Sequence, residues 1–367
     1  MTSAKKILKL DGRFNMRRGG ELESPIIAYE TWGELEGSGE NAILLFTGLS
    51  PSAHATSSPE DPSPGWWEEM VGPGKPIDTN RYFVICANSL GSCFGSTGPA
   101  STDPETSERY RLNFPVLTLE DVAHSAHELL RHLKVDRLHA VAGSSMGGMT
   151  ALAFCLLYPG VSESLVAISS SMSALPFAIA LRSLQREIVR KDPDWNAGDY
   201  EPGSGPVSGM RLARKLGMMT YRSAQEWEGR FGREQVPAES QTDDPFGISF
   251  LVESYLQAHA NKFTGQFDPN CYLYLSRAMD LFDVTEHGGS IEAGLNNLDL
   301  RRALVIGVTT DILFPIHQQR ELAAAMDKVV DNVQFIELNS IQGHDSFLVD
   351  MDNFRPVICK FFETCNT

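Results

Sequence analysis

The chain has 367 residues, 42% of them hydrophobic, with a formal net charge of −16 and a pI near 5.0. Such an acidic chain lacks the basic surface that nucleic acid requires, which argues against a nucleic-acid partner. No apolar run approaches the ~20 residues of a membrane span, and the N-terminus has no apolar signal-peptide core, so we expect a cytoplasmic protein without membrane contact.

Short apolar, β-branched runs alternate with helical patterns over most of the sequence. The predicted strands are 41–46, 82–88, 138–143, 164–170, 303–309 and 333–338. Apolar residues at i, i+3 and i+4 predict helices over 119–133 and 316–327. Strands that alternate with helices predict an α/β fold, with a mostly parallel central sheet and helices on both faces.

The alternation stops between about 171 and 300, where helical segments follow one another and strand-like runs are scarce. We interpret this interval as a helical lid insertion that sits on the sheet. The predicted domains are therefore 1–170, the first part of the core; 171–300, the lid; and 301–367, the last part of the core. Segment 51–80 is rich in Pro, Gly and Ser and predicts a long ordered loop.

Residues 138–152, LHAVAGSSMGGMTAL, carry the clearest chemical signal. The stretch GSSMG (143–147) fits G-x-S-x-G between a predicted strand and a predicted helix, which is the context of the nucleophile elbow in the α/β-hydrolase fold. In that turn a strained backbone lifts the Ser145 hydroxyl above the sheet edge, and a side chain at position 143 or 147 would clash. An ordinary strand-to-helix turn has the same pattern, so partners must be found.

A nucleophilic serine requires a base and an orienting acid, which in this fold follow it in the order Asp or Glu, then His. The order removes the histidines that precede Ser145, and three others fall in the helical interval or at a helix start. His344 follows the last predicted strand in a Gly-preceded loop, and Asp311 directly follows strand 303–309. The predicted triad is Ser145, Asp311 and His344.

The oxyanion of an acyl-transfer reaction must be held by backbone amides. The N–H of Met146, directly after the nucleophile, is the first predicted donor. The second is expected from the loop after strand 41–46, where Phe46 is preferred and Thr47 is a close second. The six cysteines lack any Cys-x-x-Cys spacing and are expected to be free thiols, and no metal site is predicted.

Several longer segments resemble the homoserine O-acetyltransferase family of α/β-hydrolase-fold acyltransferases. They follow one another in the family's order over nearly the whole chain, which is far more specific than an elbow motif alone. The segments are GWWEEMVGPGKPIDTNRYFVICANSLGSCFGSTGPAS (65–101), SSMGGM (144–149), ARKLGMMTYRS (213–223), TDILFP (310–315) and GHDSFL (343–348).

This resemblance implies a ping-pong reaction in which an acyl group passes from acyl-CoA to Ser145 and then to the hydroxyl of an amino acid. His344 would move the proton in each half. Acyl-CoA is thus an expected co-substrate, and no permanently bound cofactor is implied. By motif, Arg214 and Tyr221 would line the amino-acid site, with Arg214 on the α-carboxylate and Asp345 on the α-amine. A surface helical arginine is the alternative for Arg214.

Within this family, several segments of the sequence resemble more closely the branch that acylates L-serine from succinyl-CoA than the homoserine enzymes. A loop with Leu49, Ser50, Pro51 and Ser52 would shape the acceptor pocket, and Pro51 would stiffen it for the shorter acceptor. Arg182, in a stretch that faces the acyl donor in the family, would offer a cation to the free carboxylate of a succinyl group. The alternative for Arg182 is a solvent-facing helical arginine.

Other functions remain open on the sequence. A homoserine O-acetyltransferase or O-succinyltransferase, in methionine rather than cysteine biosynthesis, is the runner-up. A hydrolase would use the same triad with water as acceptor, and a binding protein would keep the fold without the chemistry. The resemblance also suggests a homodimer built through the helical insertion.

Overall fold

The central strands of this protein are nearly continuous apolar runs, as expected of strands whose two faces are both covered. The computed structural model describes residues 4–201, 203–240 and 243–363. Its strands are β1 (Lys6–Lys9), β2 (Arg13–Asn15), β3 (Glu21–Glu23), β4 (Ile26–Trp32), β5 (Ala42–Phe46), β6 (Val71–Gly72), β7 (Ile77–Asp78), β8 (Phe83–Ala87), β9 (Ala140–Ser144), β10 (Ser164–Ile168), β11 (Arg302–Val308) and β12 (Asn332–Leu338). Its α-helices are α1 (Leu119–Leu133), α2 (Met146–Leu157), α3 (Pro176–Lys191), α4 (Val207–Tyr221), α5 (Ala224–Phe231), α6 (Leu251–Phe263), α7 (Pro269–Leu281), α8 (Ile291–Leu295), α9 (Ile316–Met326), α10 (Ser346–Val349) and α11 (Met351–Glu363).

Eight strands form one sheet in the order β1-β4-β8-β5-β9-β10-β11-β12. Neighbours from β8 to β12 are parallel, whereas β1 and β4 are antiparallel at one edge. The mostly parallel sheet is therefore confirmed, and each of the six predicted strands is present within about two residues of its predicted bounds. Strand β1 could not be predicted from an apolar run, because three of its four residues are exposed.

Helices cover both faces of the sheet. One apolar core lies between the sheet and α1, α2 and α9, and the other lies between the sheet, α11 and the loop 51–80. The predicted helix 119–133 is α1 with the same bounds, and Thr118 closes its first turn with a capping box.

Because the central strands are parallel, their carboxyl ends meet at one sheet edge, where ligand sites of such folds lie.

Between β10 and β11 the described residues form the helices α3 to α8 and, apart from isolated bridges, no strand. Helix α3 packs on α4 and α7, and α4 packs on α6 and on the short turn Gly343–Asp345. The helices of this interval thus reach the loop that follows β12. The division of the chain into core and lid at 170/171 and 300/301 stays a prediction.

Two further observations concern thiols and membranes. Five of the six cysteines lie among the described residues and form no disulfide there, while Cys365 lies outside them. Within the same residues, no helix is both long and apolar enough to cross a bilayer.

The turn between β9 and α2 has almost no free space around its glycines. Ser145 sits at φ 55° and ψ −123°, a strained backbone conformation for a residue with a side chain. A Cβ atom on Gly143 would lie 2.2 Å from the Gly147 carbonyl oxygen, and one on Gly147 would lie 2.3 Å from the Phe46 carbonyl oxygen. A Cβ on Gly148 would lie 2.7 Å from the Ser170 Cβ. Helix α2 therefore starts directly against β5 and β9 only because these positions lack side chains.

We expect Gly147→Ala to lower the free energy of unfolding by about 1–3 kcal/mol, because its methyl group would overlap backbone that cannot move aside. The matched control is Gly229→Ala in α5, an exposed helical glycine with no atom within 4 Å of a new Cβ. Helix propensity alone predicts that this control raises stability by up to about 1 kcal/mol. Denaturant unfolding of both variants decides the point, and equal shifts would contradict the role of the close approach.

Candidate active site

Three polar side chains meet in a hydrogen-bonded line at the carboxyl ends of β9, β11 and β12. Ser145 Oγ lies 2.8 Å from His344 Nε2, and His344 Nδ1 lies 2.7 Å from Asp311 Oδ2. The structure thus brings together the three residues of the predicted triad, in the geometry of nucleophile, base and orienting acid. Their catalytic roles stay a prediction.

Hydrogen bonds connect the loop that carries Asp311 to the loop that carries His344. Asp311 Oδ1 accepts the N–H groups of Leu313 and Phe314 at 2.9 and 2.8 Å, which leaves Oδ2 for the imidazole. Thr310 Oγ1 donates to the Ser340 carbonyl at 2.6 Å and accepts from the Gly343 N–H at 3.1 Å. The two loops are thereby held in one arrangement before any ligand arrives.

His344 is 4% exposed and lies between aromatic rings. Phe314 stacks on the imidazole with ring centroids 5.2 Å apart, and Phe347 meets it edge-on at 5.6 Å. Burial alone would lower the pKa of His344, but the Asp311 charge and its hydrogen bond outweigh that and raise the pKa above its usual 6.5. The imidazole is therefore disposed to take up a proton from a neighbouring hydroxyl.

The position of His344 also depends on the end of α4. Gly343 has φ +70°, and a Cβ there would lie 2.8–2.9 Å from backbone atoms of Tyr221, Arg222 and Ser223. A glycine is required for both reasons. The base loop is thus packed directly against the helical interval.

The predicted oxyanion donors differ in their placement. Met146 is the first residue of α2, so its N–H has no carbonyl one turn earlier to bond within the helix. Phe46 still belongs to β5, where it pairs with Ala87 on one side and Gly143 on the other. Neither Phe46 nor Thr47 lines the cavity, but the backbone of both lies against Gly147, and their role as donors stays a prediction.

A cavity opens above Ser145, between the loop after β5 and the helical interval. Of the predicted specificity residues, Ser52 does not line it and instead accepts the His54 N–H at 3.3 Å. Predicted residues that do line the cavity are Leu49, Ser50, Pro51, Arg182, Arg214, Tyr221 and Asp345. Lining residues that the sequence did not single out include Gly48, Trp66, Gln185, Phe263, Tyr272, Ser276 and Met279.

Arg182 is 5% exposed, which rules out the solvent-facing alternative. Its Nε donates to Asp280 Oδ1 at 2.6 Å, while Arg186 Nη2 donates to Asp280 Oδ2 at 2.6 Å. The two terminal nitrogens of Arg182, Nη1 and Nη2, are buried without a hydrogen-bond partner among the described residues. Buried donors left unpaired are costly, so these nitrogens form a ready site for an anion.

Arg214, Tyr221 and Asp345 form a second polar group in the cavity wall. The Arg214 guanidinium lies over the Phe263 ring at 4.5 Å and the Tyr221 ring at 5.5 Å, and its Nε has no partner among the described residues. It is thus a cavity residue, not a surface arginine. Burial raises the pKa of Asp345, although His344 and Arg222, whose Nε lies 3.4 Å from Asp345 Oδ2, favour its charged form.

The comparisons with known proteins agree with this site. A family model described as the α/β hydrolase fold matches residues 41–348. A serine O-succinyltransferase of Litchfieldella anticariensis is 58% identical over 98% of this chain and 99% of that protein. One from Stenotrophomonas maltophilia (strain K279a) is 55% identical over 96% of each. The chain belongs to the serine O-succinyltransferase family of α/β-hydrolase-fold proteins.

Solved structures extend the likeness beyond this family. A homoserine O-acetyltransferase from Bacillus anthracis superposes with a TM-score of 0.89 at 27% identity, over 98% of each chain. The esterase E22 has a TM-score of 0.87 at 27% identity, over 97% of this chain and 99% of that one. The predicted α/β-hydrolase fold is confirmed, and transferases and an esterase share it. The cavity residues, not the fold, must therefore separate these activities.

As in its family, the chain has small-molecule substrates and an acyl-CoA co-substrate. The described residues hold one group of side chains close enough to bind a metal, although the sequence showed none. His124, His127 and Glu128 on α1 offer ligand atoms within 4.8 Å of one another. None of the three lines the cavity above Ser145.

We expect Asp311→Asn to bring the pKa of His344 below 6.5. The charge and the charge-assisted hydrogen bond that raise it are removed, whereas the burial that lowers it stays. The measurement is an NMR pH titration of the assigned His344 imidazole. Asp352→Asn, at an exposed position of α11, is the control and should leave the titration unchanged. An unchanged pKa in Asp311→Asn would show that Asp311 does not set the state of the base.

Proposed function

We propose that this protein is a serine O-succinyltransferase, which converts succinyl-CoA and L-serine into O-succinyl-L-serine and CoA, in cysteine biosynthesis. The observation that carries the proposal is the buried guanidinium of Arg182, a residue of the cavity wall above Ser145, whose Nη1 and Nη2 have no hydrogen-bond partner among the described residues. An acetyl group has no charge to offer such a site. A succinyl group ends in a carboxylate, which fits a guanidinium in a two-bonded arrangement.

In the first half-reaction, His344 Nε2 takes the proton of Ser145 Oγ while that oxygen attacks the thioester carbonyl. The 2.8 Å hydrogen bond between these atoms supports this transfer. The carbonyl oxygen becomes negative and is held by the Met146 N–H and by an N–H at the junction of β5 and the loop that begins at Thr47. Collapse breaks the carbon–sulfur bond, His344 returns the proton to the CoA sulfur, and a succinyl ester remains on Ser145.

In the second half-reaction, the hydroxyl of L-serine takes the place of CoA. His344 removes its proton as it attacks the ester on Ser145, and then protonates Ser145 Oγ as O-succinyl-L-serine leaves. Because Asp311 raises the pKa of His344 above its usual 6.5 against the opposing effect of burial, the neutral base is lost as the pH falls through this raised pKa. The rate of transfer should therefore decline on the acid side.

We assign the acceptor to the group formed by Arg214, Tyr221 and Asp345. The unpaired Arg214 Nε supports a contact with the α-carboxylate, and the Asp345 carboxylate is the nearby partner for the α-ammonium. The loop residues Leu49, Ser50 and Pro51 line the same cavity. A proline there restricts the loop and favours a short acceptor over homoserine, which is one methylene longer.

The proposed homodimer has support from exposed apolar side chains on α3 and α4. Phe177, Leu184, Leu212 and Met219 are 49–57% exposed. A second copy packed on these helices would cover them.

Mixing the protein with succinyl-CoA alone should add the mass of one succinyl group, located on Ser145 by peptide mapping. Addition of L-serine should remove this group and yield O-succinyl-L-serine. Ser145→Ala should give neither product, while Ser144→Ala, at the neighbouring serine of the same turn, should still accumulate the adduct. Rapid release of free succinate, unchanged by L-serine, would instead indicate a hydrolase.

Arg182→Gln should lower kcat/KM for succinyl-CoA by about 10- to 100-fold, the cost of one or two hydrogen bonds to a charged group. The value for acetyl-CoA should change little, because that donor makes no such contact. The control is Arg190→Gln, an exposed arginine two turns further along α3. Kinetics with both donors and with L-serine or L-homoserine give the result. An equal loss with both donors would contradict a role in donor choice, and a preference for L-homoserine with acetyl-CoA would contradict the proposed function.

A further inference from the structure

Two thiols meet where the loop after β8 reaches the start of α7. Cys93 belongs to that loop and is partly exposed, in a surface cavity that Asp268 and Pro269 also line. Cys271 is the third residue of α7 and is fully buried, and its thiol is near enough to that of Cys93 to lower the pKa of Cys93. The Cys93 sulfur is thus accessible to a small solute, whereas the Cys271 sulfur is buried beside it.

The start of α7 also favours the thiolate of Cys93. Asp268, whose side chain caps the helix, donates its backbone N–H to Cys93 Sγ at 3.4 Å. The Cys271 thiol and this N–H together outweigh burial and lower the pKa of Cys93. The other described thiols are the opposite case: burial raises the pKa of Cys86, Cys155 and Cys271, and Glu363 raises that of Cys359. Reactivity of a cysteine follows its thiolate and its exposure.

We propose that Cys93 and Cys271 are an oxidation site for hydrogen peroxide, and that their disulfide lowers the use of succinyl-CoA. The inference rests on the proposed function for its effect on activity. The Cys93 thiolate attacks one peroxide oxygen, the O–O bond breaks, and hydroxide leaves a sulfenic acid on Cys93. The Cys271 sulfur then gives up its proton and attacks Cys93 Sγ. The S–S bond forms, the S–O bond breaks, and water leaves.

Helix α7 connects this pair to the acyl-donor end of the active site. Beyond Cys271 the same helix supplies Tyr272, Ser276 and Met279 to the cavity wall, and Asp280, which holds Arg182. An S–S bond is only about 2.0 Å long, shorter than any hydrogen bond between two sulfur atoms. Its formation draws the start of α7 toward the loop and removes the thiolate that the Asp268 N–H contacts. The shift of the helix displaces Asp280, and with it the guanidinium that faces the donor.

The test uses the full chain with Cys365→Ser, so that this thiol outside the described residues cannot pair. The protein is treated with hydrogen peroxide, then mapped by mass spectrometry and assayed with succinyl-CoA and acetyl-CoA before and after reduction with dithiothreitol. We expect a Cys93–Cys271 disulfide before Cys359 is oxidised, and a loss of kcat/KM for succinyl-CoA of at least about tenfold, as a displacement near 1 Å can cause. Acetyl-CoA should be affected less, and reduction should restore both.

Variants separate the two steps. Cys271→Ser should stop at a sulfenic acid on Cys93, trapped by dimedone, and Cys93→Ser should keep its activity in peroxide. Cys359→Ser, a partly exposed thiol on α11, is the matched control and should behave as the parent. Oxidation of Cys93 no faster than of Cys359, or a disulfide without loss of activity, would overturn the proposal. Both are read on the chain that carries only Cys365→Ser, so neither depends on whether a variant at Cys93 or Cys271 folds. Failure of the reduced enzyme to transfer the succinyl group would count against the proposed function alone, because mapping of the disulfide does not depend on that activity.

Discussion

The backbone of Ser145 is the constraint on which the rest of this molecule depends. At φ 55° and ψ −123° the residue leaves the sheet and starts α2 in a single step. That step is possible because Gly143, Gly147 and Gly148 let β5, β9 and α2 approach at distances that no side chain would permit. The strain places one hydroxyl at the sheet edge, with the first N–H of a helix beside it. A nucleophile and a site for negative charge thus arise from the same turn.

The helical interval adds a second constraint, which concerns buried charge. Asp280 pairs with both Arg182 and Arg186 in a region closed to water. One buried carboxylate against several guanidinium groups leaves positive charge in excess, and Arg182, whose Nη1 and Nη2 have no partner among the described residues, lines the cavity. Burial of such a charge is unfavourable until an anion joins it. This excess of positive charge supports the proposal that the acyl donor carries its own carboxylate.

The triad and the cavity wall have separate roles, which explains how one fold serves several activities. The chain shares its architecture with a homoserine O-acetyltransferase and with an esterase at the same 27% identity. Sheet, elbow and triad supply nucleophilic acyl chemistry in general. We propose that the cavity wall, built by the loop after β5 and by α3, α4 and α7, decides which donor enters and which hydroxyl accepts. Small changes there can alter the reaction without altering the core.

The sequence by itself determined whatever depends on neighbouring residues and on chain order. Apolar runs predicted the six parallel strands, the glycines around Ser145 predicted the turn, and the order Ser, Asp, His led to Asp311 and His344, which the structure joins by hydrogen bonds. Only the tertiary structure decided that Phe46 remains in its strand while Leu49 reaches the cavity, that Ser52 lies outside it, and that Arg182 is buried against Asp280. It also brought Cys93 to Cys271. The physical reason is that burial and the pairing of charges are set by contacts between segments far apart in the chain, which local patterns do not record.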